Sequence, residues 1–369
     1  MDAVTAEHED KLERVRRLAR ECGLGGVLLA AHHNVAWLTS GRGNRIDASR
    51  EAGSARLLVT ADGRRFVLAN AIEMPRLVGE ELDGLEYVPI EYAWADDQDP
   101  SFAIAQARSV LGSAAPLGAD WPLPETKGIE ATLMRARANL TDGEIERYRR
   151  LGRDAGEALG AVARAVRPGE TERDIERRMM DAALSIGARA IVALVGSDDR
   201  LQRYRHPVPT GATWQRVVMM ALCAERDGLV VSLSRIVAAN PPADLVERTQ
   251  ATATVFGRVL AQTRPGATAS HLYETLAQAY TDAGFPGEEL KHHQGGAIGY
   301  RAREWVAHPR SQEIVQPRQA FAWNPTITGT KIEDTALVVG DRVEIITSTP
   351  GWPAIELGGN LRASGIWAI

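Results

Sequence analysis

The segment Arg167-Pro168-Gly169 and the residues after it return 97 positions later as Arg264-Pro265-Gly266 with a related continuation. The two copies align without a gap from Gly169 on Gly266 to Gly187 on Gly284. Each copy reads as the end of one helix, a Pro-Gly turn, an N-capping threonine (Thr171, Thr268), a second helix and a glycine stop. Two copies are too few for a solenoid, so the repeat implies a domain of pseudo-two-fold symmetry with a site between its halves.

A chain of 369 residues has room for two domains. The first part, residues 1–138, reads as an α/β unit. A charged amphipathic helix near Lys11 to Cys22 stops at Gly23 and feeds the strand Gly26–Ala30. A hairpin over Arg56 to Ala69 carries Asp62-Gly63, which suits a type I′ turn. The boundary is expected near Asn139, where Thr141-Asp-Gly-Glu144 forms a capping box opening a long helix. Strands at 190–195, 217–222, 229–237, 320–323 and 335–339 follow the helices of each copy. Residues 139–369 are therefore expected to be α+β, with paired helices covering a curved antiparallel sheet.

The net charge of −5 comes from interspersed acids and bases, which argues against nucleic acid and anionic membrane as partners. No apolar run approaches the ~20 residues a membrane span needs. The start, Met1 to Asp10, lacks the basic and apolar regions of a signal peptide, so a cytoplasmic location is expected. Cys22 and Cys223 stand apart with no metal-type grouping and read as small buried residues of a reducing compartment.

Taken together, Asn34-Val-Ala-Trp-Leu-Thr-Ser40, the Thr141 capping segment, Gly196-Ser197 with His206-Pro207, the hairpin at Asp227-Gly228, Gly295-Gly-Ala-Ile-Gly299 and Lys331-Ile-Glu-Asp334 resemble the creatinase/aminopeptidase P group of the pita-bread superfamily. The resemblance covers nearly the whole chain. It implies a creatinase-like N-terminal domain, a pita-bread domain after it, and a homodimer in which the N-terminal domain of one subunit helps close the site of the other. The basic loop Gly41 to Arg50 is the segment that would do so; the alternative is a plain surface loop.

In the metallopeptidases of that group, two Asp, one His and two Glu hold two divalent metals. The resemblance puts Ala221, Ser232, Gly296, Asn324 and Glu333 at those positions, so Glu333 alone matches. A hard dication needs several oxygen or imidazole donors. The expectation is that no metal and no cofactor is held there.

The resemblance also implies chemistry without metal. His206 resembles the acid/base histidine of creatinase, and imidazole can accept and return a proton near neutrality; the alternative is a surface histidine beside a proline. Adjacent strand residues face opposite ways, so only one of Glu333 and Asp334 can enter the pocket, and the resemblance selects Glu333. The alternative for Glu333 is a leftover carboxylate paired with Lys331 or an arginine. A second group, His292, His293, Tyr300, Arg301, Arg303 and Glu304, surrounds the glycine-rich segment. Arg303 stands where the metallopeptidases usually have a histidine; a guanidinium there offers a fork for a carboxylate and cannot shuttle protons. Arg301, Arg303 and Glu304 can equally form a solvated turn. His292 and His293 are of a type to ligate metal, but as neighbours on a strand they are expected to point apart with nothing nearby to complete a shell, so no new metal site is expected there. Asn324, Lys331 and Trp323 complete the expected lining, with Trp214 and Trp305 as further aromatics. Exchange of a carboxylate for Asn324 moves the pocket toward neutral or basic, which favours a small substrate carrying a carboxylate.

The resulting expectation is a metal-independent hydrolase, or related C–N bond-cleaving enzyme, acting on a small amide-like or amino-acid-like substrate. The rivals are an inactive relative used as a binding module and an Xaa-Pro-type aminopeptidase with a relocated metal.

Overall fold

The computed structural model describes residues 3–112, 115–359 and 361–369, so the first two residues of the N-terminal stretch lie outside the described residues. The chain divides into two compact units, Met1–Glu144 and Ile145–Ile369.

In the first unit the strand order is Val88–Tyr92, Arg65–Asn70, Ala52–Thr60, Gly26–Ala31, Leu117–Ala119, Lys127–Gly128. The three middle strands pair antiparallel and the outer ladders are parallel. Alternate residues serve opposite faces of a strand. Leu28, Leu58, Phe66 and Leu68 pack with Ile104, Ala107 and Leu111 of the helix Pro100–Leu111. Val27, Leu29, Leu57, Val59 and Val67 are as deeply buried, so both faces of the sheet are covered. The long first helix, Ala3–Glu21, ends where Gly23 takes a positive φ of 65°.

The hairpin at Asp62-Gly63 departs from the type I′ expectation. Thr60 N–H bonds Arg64 C=O at 2.9 Å around a three-residue loop, and within it only Gly63 has positive φ, at 100°. A single left-handed glycine closing a three-residue loop makes a bulged hairpin, whereas type I′ needs positive φ at both central residues. The second hairpin does have that form, with φ of 53° at Asp227 and 74° at Gly228.

In the second unit the duplicated pattern becomes two helix pairs, Asp142–Ala165 with Glu172–Ser185 and Ala243–Gln262 with Ala269–Asp282. Thr171 Oγ1 caps Asp174 N–H at 3.1 Å and Thr268 Oγ1 caps His271 N–H at 3.2 Å. Both caps also form matching single bridges, Thr171 to Thr213 and Thr268 to Ile314. The helices bury one stripe each, for example Ile175, Met179 and Ala183, or Leu245, Thr249, Thr252, Phe256 and Val259. On the long helix Asp142–Ala165 a Cβ at Gly152 or Gly156 would come within 2.6 or 2.5 Å of the carbonyl oxygens of Ile346 and Ser348. Glycine at this spacing lets the helix lie directly on that segment.

Two sheets complete the unit. One runs Ile366–Ala368, Leu229–Ala238, Val217–Arg226, Arg189–Ser197; the other runs Trp305–Val306, Gly295–Ile298, Arg318–Trp323, Asp334–Val339, Arg342–Ile345. Every ladder in them is antiparallel except that of the last strand, which lies parallel to Leu229–Ala238. The sheets meet where Ser234 N–H bonds Glu333 C=O at 2.9 Å, and where Thr335 Oγ1 accepts from Ser232 N–H at 2.8 Å and donates to Ser232 C=O at 2.9 Å. That seam carries the candidate site.

Candidate functional site

Glu333 and Asp334 leave the seam in opposite directions. Asp334 meets the fully buried Arg235 at 3.1 Å and accepts from Thr347 Oγ1 at 2.8 Å. Glu333 turns the other way, where Arg303 Nη2 lies 3.0 Å from one carboxylate oxygen and Lys331 Nζ 3.1 Å from the other. Burial raises the Glu333 pKa, but Lys331 and Arg303 outweigh it and hold the carboxyl down at about 2. Arg303 Nη1 also reaches Ser232 Oγ at 3.4 Å, and Cys223 Sγ lies 3.1 Å from the same hydroxyl. Ala221, two residues along the strand from Cys223, shares its face.

A second group adjoins this one electrostatically. His206 Nε2 and His292 Nε2 are 2.8 Å apart, and the His292 and His293 rings stack with centroids 4.4 Å apart. Burial, then Lys331, lowers the pKa of His206 and takes His292 to about 2. His293 falls to about 4 through burial, then Arg303. Burial and the neighbouring cations thus favour the neutral form of all three imidazoles.

The sequence holds His206 against its partners by two devices. Gly196 lacks a Cβ that would stand 2.4 Å from Pro207 Cγ, so the loop can press on the strand. Arg205 makes an ion pair with Glu288, which also accepts from Thr328 N–H at 3.0 Å and Lys291 Nζ at 2.7 Å. Burial raises the Glu288 pKa, but Lys291 and Arg205 bring it below the usual carboxylate range. Arg205 and Glu288 were absent from the sequence reading. The only signal was their adjacency to His206 and His292, since the pairing spans 83 residues.

Several expected residues stand elsewhere. His292 and His293 do not point apart: they lie in the bend before the strand Gly295–Ile298, where period-two alternation does not apply. Trp323 is a core residue, fully buried, with its indole N–H on Thr263 Oγ1 at 3.1 Å and its ring stacked on Phe321. Trp214 is fully buried, and Trp305 packs edge-on against Phe321. Arg301 is exposed, while Glu304 Oε1 accepts from the N–H of the buried Tyr300 at 3.1 Å and braces the turn. Asn324 is 1 % exposed and its Oδ1 has no hydrogen-bond partner among the described residues. In the first unit, Ile46, Asp47, Ser49 and Arg50 of the basic loop line a cavity of about 750 Å³.

Residues 146–340 match the model of metallopeptidase family M24. The fold is similar to that of the dipeptidase PepE from Mycobacterium ulcerans, at 17% identity over 99% of each chain with a TM-score of 0.80. It is similar also to an Xaa-Pro dipeptidase from Bacillus anthracis, at 19% identity over 98% of this chain and 100% of that one, TM-score 0.77. The N-terminal domain of the FACT complex subunit SPT16 from chickpea shares the fold at 11% identity, over 94% and 96% of the two chains, TM-score 0.69. No curated protein sequence matches this one. The architecture is thus the pita-bread fold in its two-unit form. The chain belongs to metallopeptidase family M24. No helix among the described residues is long and apolar enough to cross a membrane.

Proposed function

We propose that this M24 member is a hydrolase, or related C–N bond-cleaving enzyme, that acts on a small amide-like substrate bearing a carboxylate and does so without the family's pair of divalent metals. The observation that carries the reading is the triad Arg303–Glu333–Lys331, in which Glu333 and Lys331 are buried and Arg303 is half-buried. Of the five positions the resemblance marks as ligands, Ala221 and Gly296 offer no donor atom, Ser232 a hydroxyl and Asn324 a neutral amide. Both oxygens of Glu333 are already taken by cations. That donor set does not fit two dications, and two fixed positive charges stand beside its one carboxylate.

The same cations suit a different chemistry. A guanidinium and an ammonium held by one carboxylate can bind a substrate carboxylate or steady the oxyanion that forms on an attacked carbonyl. His206 takes a proton from the attacking water and returns it to the leaving nitrogen. His292, within hydrogen-bond distance, fixes the orientation of the His206 ring. Glu333 stays ionised and acts as a positioning residue for Arg303 and Lys331. The reading places the protein in the cytoplasm as a homodimer; its cysteines are free, as suits a reducing compartment.

A binding module is the second reading. The observation favouring it is that each Glu333 oxygen is paired with a fixed cation, which leaves the carboxylate a poor base or nucleophile. Turnover of small amides, guanidines and dipeptides in the presence of chelator, with and without His206→Ala, separates the readings. Chelator-resistant turnover lost in the variant supports the hydrolase. Turnover that requires added manganese or cobalt removes metal independence. Carboxylate binding without any turnover leaves the binding module.

A further inference from the structure

Beyond that reading, we propose that His206, His292 and His293 together form a site for one divalent transition-metal ion of the imidazole-preferring kind, with zinc as the reference case. One ring nitrogen of each lies within 4.8 Å of the others. None of the three occupies any of the five positions at which the family resemblance puts metal ligands, so this is a separate centre with its own chemistry.

Three imidazoles, each with a ring nitrogen inside the same 4.8 Å, are a donor set that zinc accepts with a fourth position left to water. The trio is not closed by hydrogen bonds of its own. The nitrogens of His206 and His292 at 2.8 Å can share only one proton between them, and His292 Nδ1 is buried without a partner. Zinc–nitrogen bonds of about 2.0–2.1 Å in a tetrahedron set ligand nitrogens about 3.3 Å apart. That value lies above the 2.8 Å between His206 and His292 and inside the 4.8 Å that bounds the trio. Small ring rotations of the exposed His206 and His293 close the difference. The backbone is already held, because Arg205–Glu288 ties the loop of His206 to the segment that carries His292 and His293.

Neighbouring charge decides which ions enter. Arg303 and Lys331 exceed Glu333 by one positive charge; Lys331 acts on all three histidines and Arg303 on His206 and His293. An ion held mainly by charge, such as magnesium or calcium, is disfavoured. Zinc, copper, nickel or cobalt meets the same repulsion, but its bonds to imidazole lone pairs offset it. An ion on His206 uses the lone pair that acid–base catalysis requires, so a metal-loaded trio and a working His206 base exclude one another.

The test uses the full chain, stripped with chelator and dialysed, then titrated with zinc chloride and separately with magnesium chloride by calorimetry. No substrate is present, so the result does not depend on the proposed activity. The expected result is one zinc per chain and no heat from magnesium, with affinity falling at least about tenfold in each of His206→Ala, His292→Ala and His293→Ala. Cobalt in place of zinc should give the visible absorption of a tetrahedral site. His206 and His293 are exposed, so an unchanged unfolding midpoint confirms that those two variants fold. Absence of zinc binding, a stoichiometry of two, or binding that survives the His206 and His293 variants overturns the proposal.

Discussion

Lys331 Nζ stands 3.1 Å from Glu333 Oε2, and both side chains are almost wholly buried, at 4 and 5 % exposure. An ion pair so placed is a commitment, because removal of one partner strands the other in a medium that cannot solvate it. Glu333→Gln should therefore lose about 3–5 kcal/mol of stability, with Lys331 and Arg303 left facing each other. Urea unfolding of the variant measures the loss, and a change below about 1 kcal/mol would mean that water enters the site freely.

Gly296 is closed to any side chain. A Cβ there would stand 2.1 Å from Trp305 O, and at Gly295, whose φ is 98°, 2.1 Å from Ala322 O. Gly296→Ala should cost at least about 2 kcal/mol, and Gly296→His more. A histidine placed at this position therefore should not create a metal centre. Thermal melts of both variants, followed by metal analysis of whichever folds, give the answer.

Asp120 accepts hydrogen bonds from Ala30 N–H, Ala31 N–H and Asn34 Nδ2, yet burial outweighs them and lifts its pKa from 3.8 to about 6. A carboxyl whose folded pKa is raised lends stability that is complete below the unfolded value and is lost as pH rises through the folded one. The contribution should therefore fall between about pH 4 and 6, by on the order of 2–3 kcal/mol. Asp120→Asn should flatten that fall. Parallel stability profiles for the two proteins across pH 4–7 would show that Asp120 is not the group responsible.

Glu288 joins three segments through Arg205, Thr328 and Lys291. Glu288→Gln keeps the shape and removes the charge, so it should loosen the loop that carries His206 while leaving the strands intact. Hydrogen exchange localised by proteolysis should rise in residues 203–211 and stay unchanged in Val217–Arg226. Protection that is equal in both proteins would mean the loop is held by Pro207 against Gly196 alone.

Much of the fold was legible because its signals are local. The caps at Thr141, Thr171 and Thr268 and the glycine stops at Gly187 and Gly284 are satisfied within a few residues of themselves. The repeat then fixed how many such units to expect. The site was legible only in part. Glu333 could be picked from Asp334 because alternation along a strand is also local, and its possible pairing with Lys331 or an arginine could be named beforehand. The histidine trio could not be seen, since it depends on residues 86 positions apart and on a bend that breaks the strand rule at His292 and His293. Trp323 was misplaced for the opposite reason. A large aromatic near a pocket motif looks like lining until the tertiary structure puts Thr263 over its indole.

The Arg205–Glu288 pair reaches from the stretch that follows the first copy of the duplicated pattern to the stretch that follows the second. Two copies of one ancestral unit begin as interchangeable pieces, free to diverge on separate courses. Once an acid in one half answers a base in the other, a change in either leaves its counterpart unmatched. From then on the halves can be inherited only as a matched set.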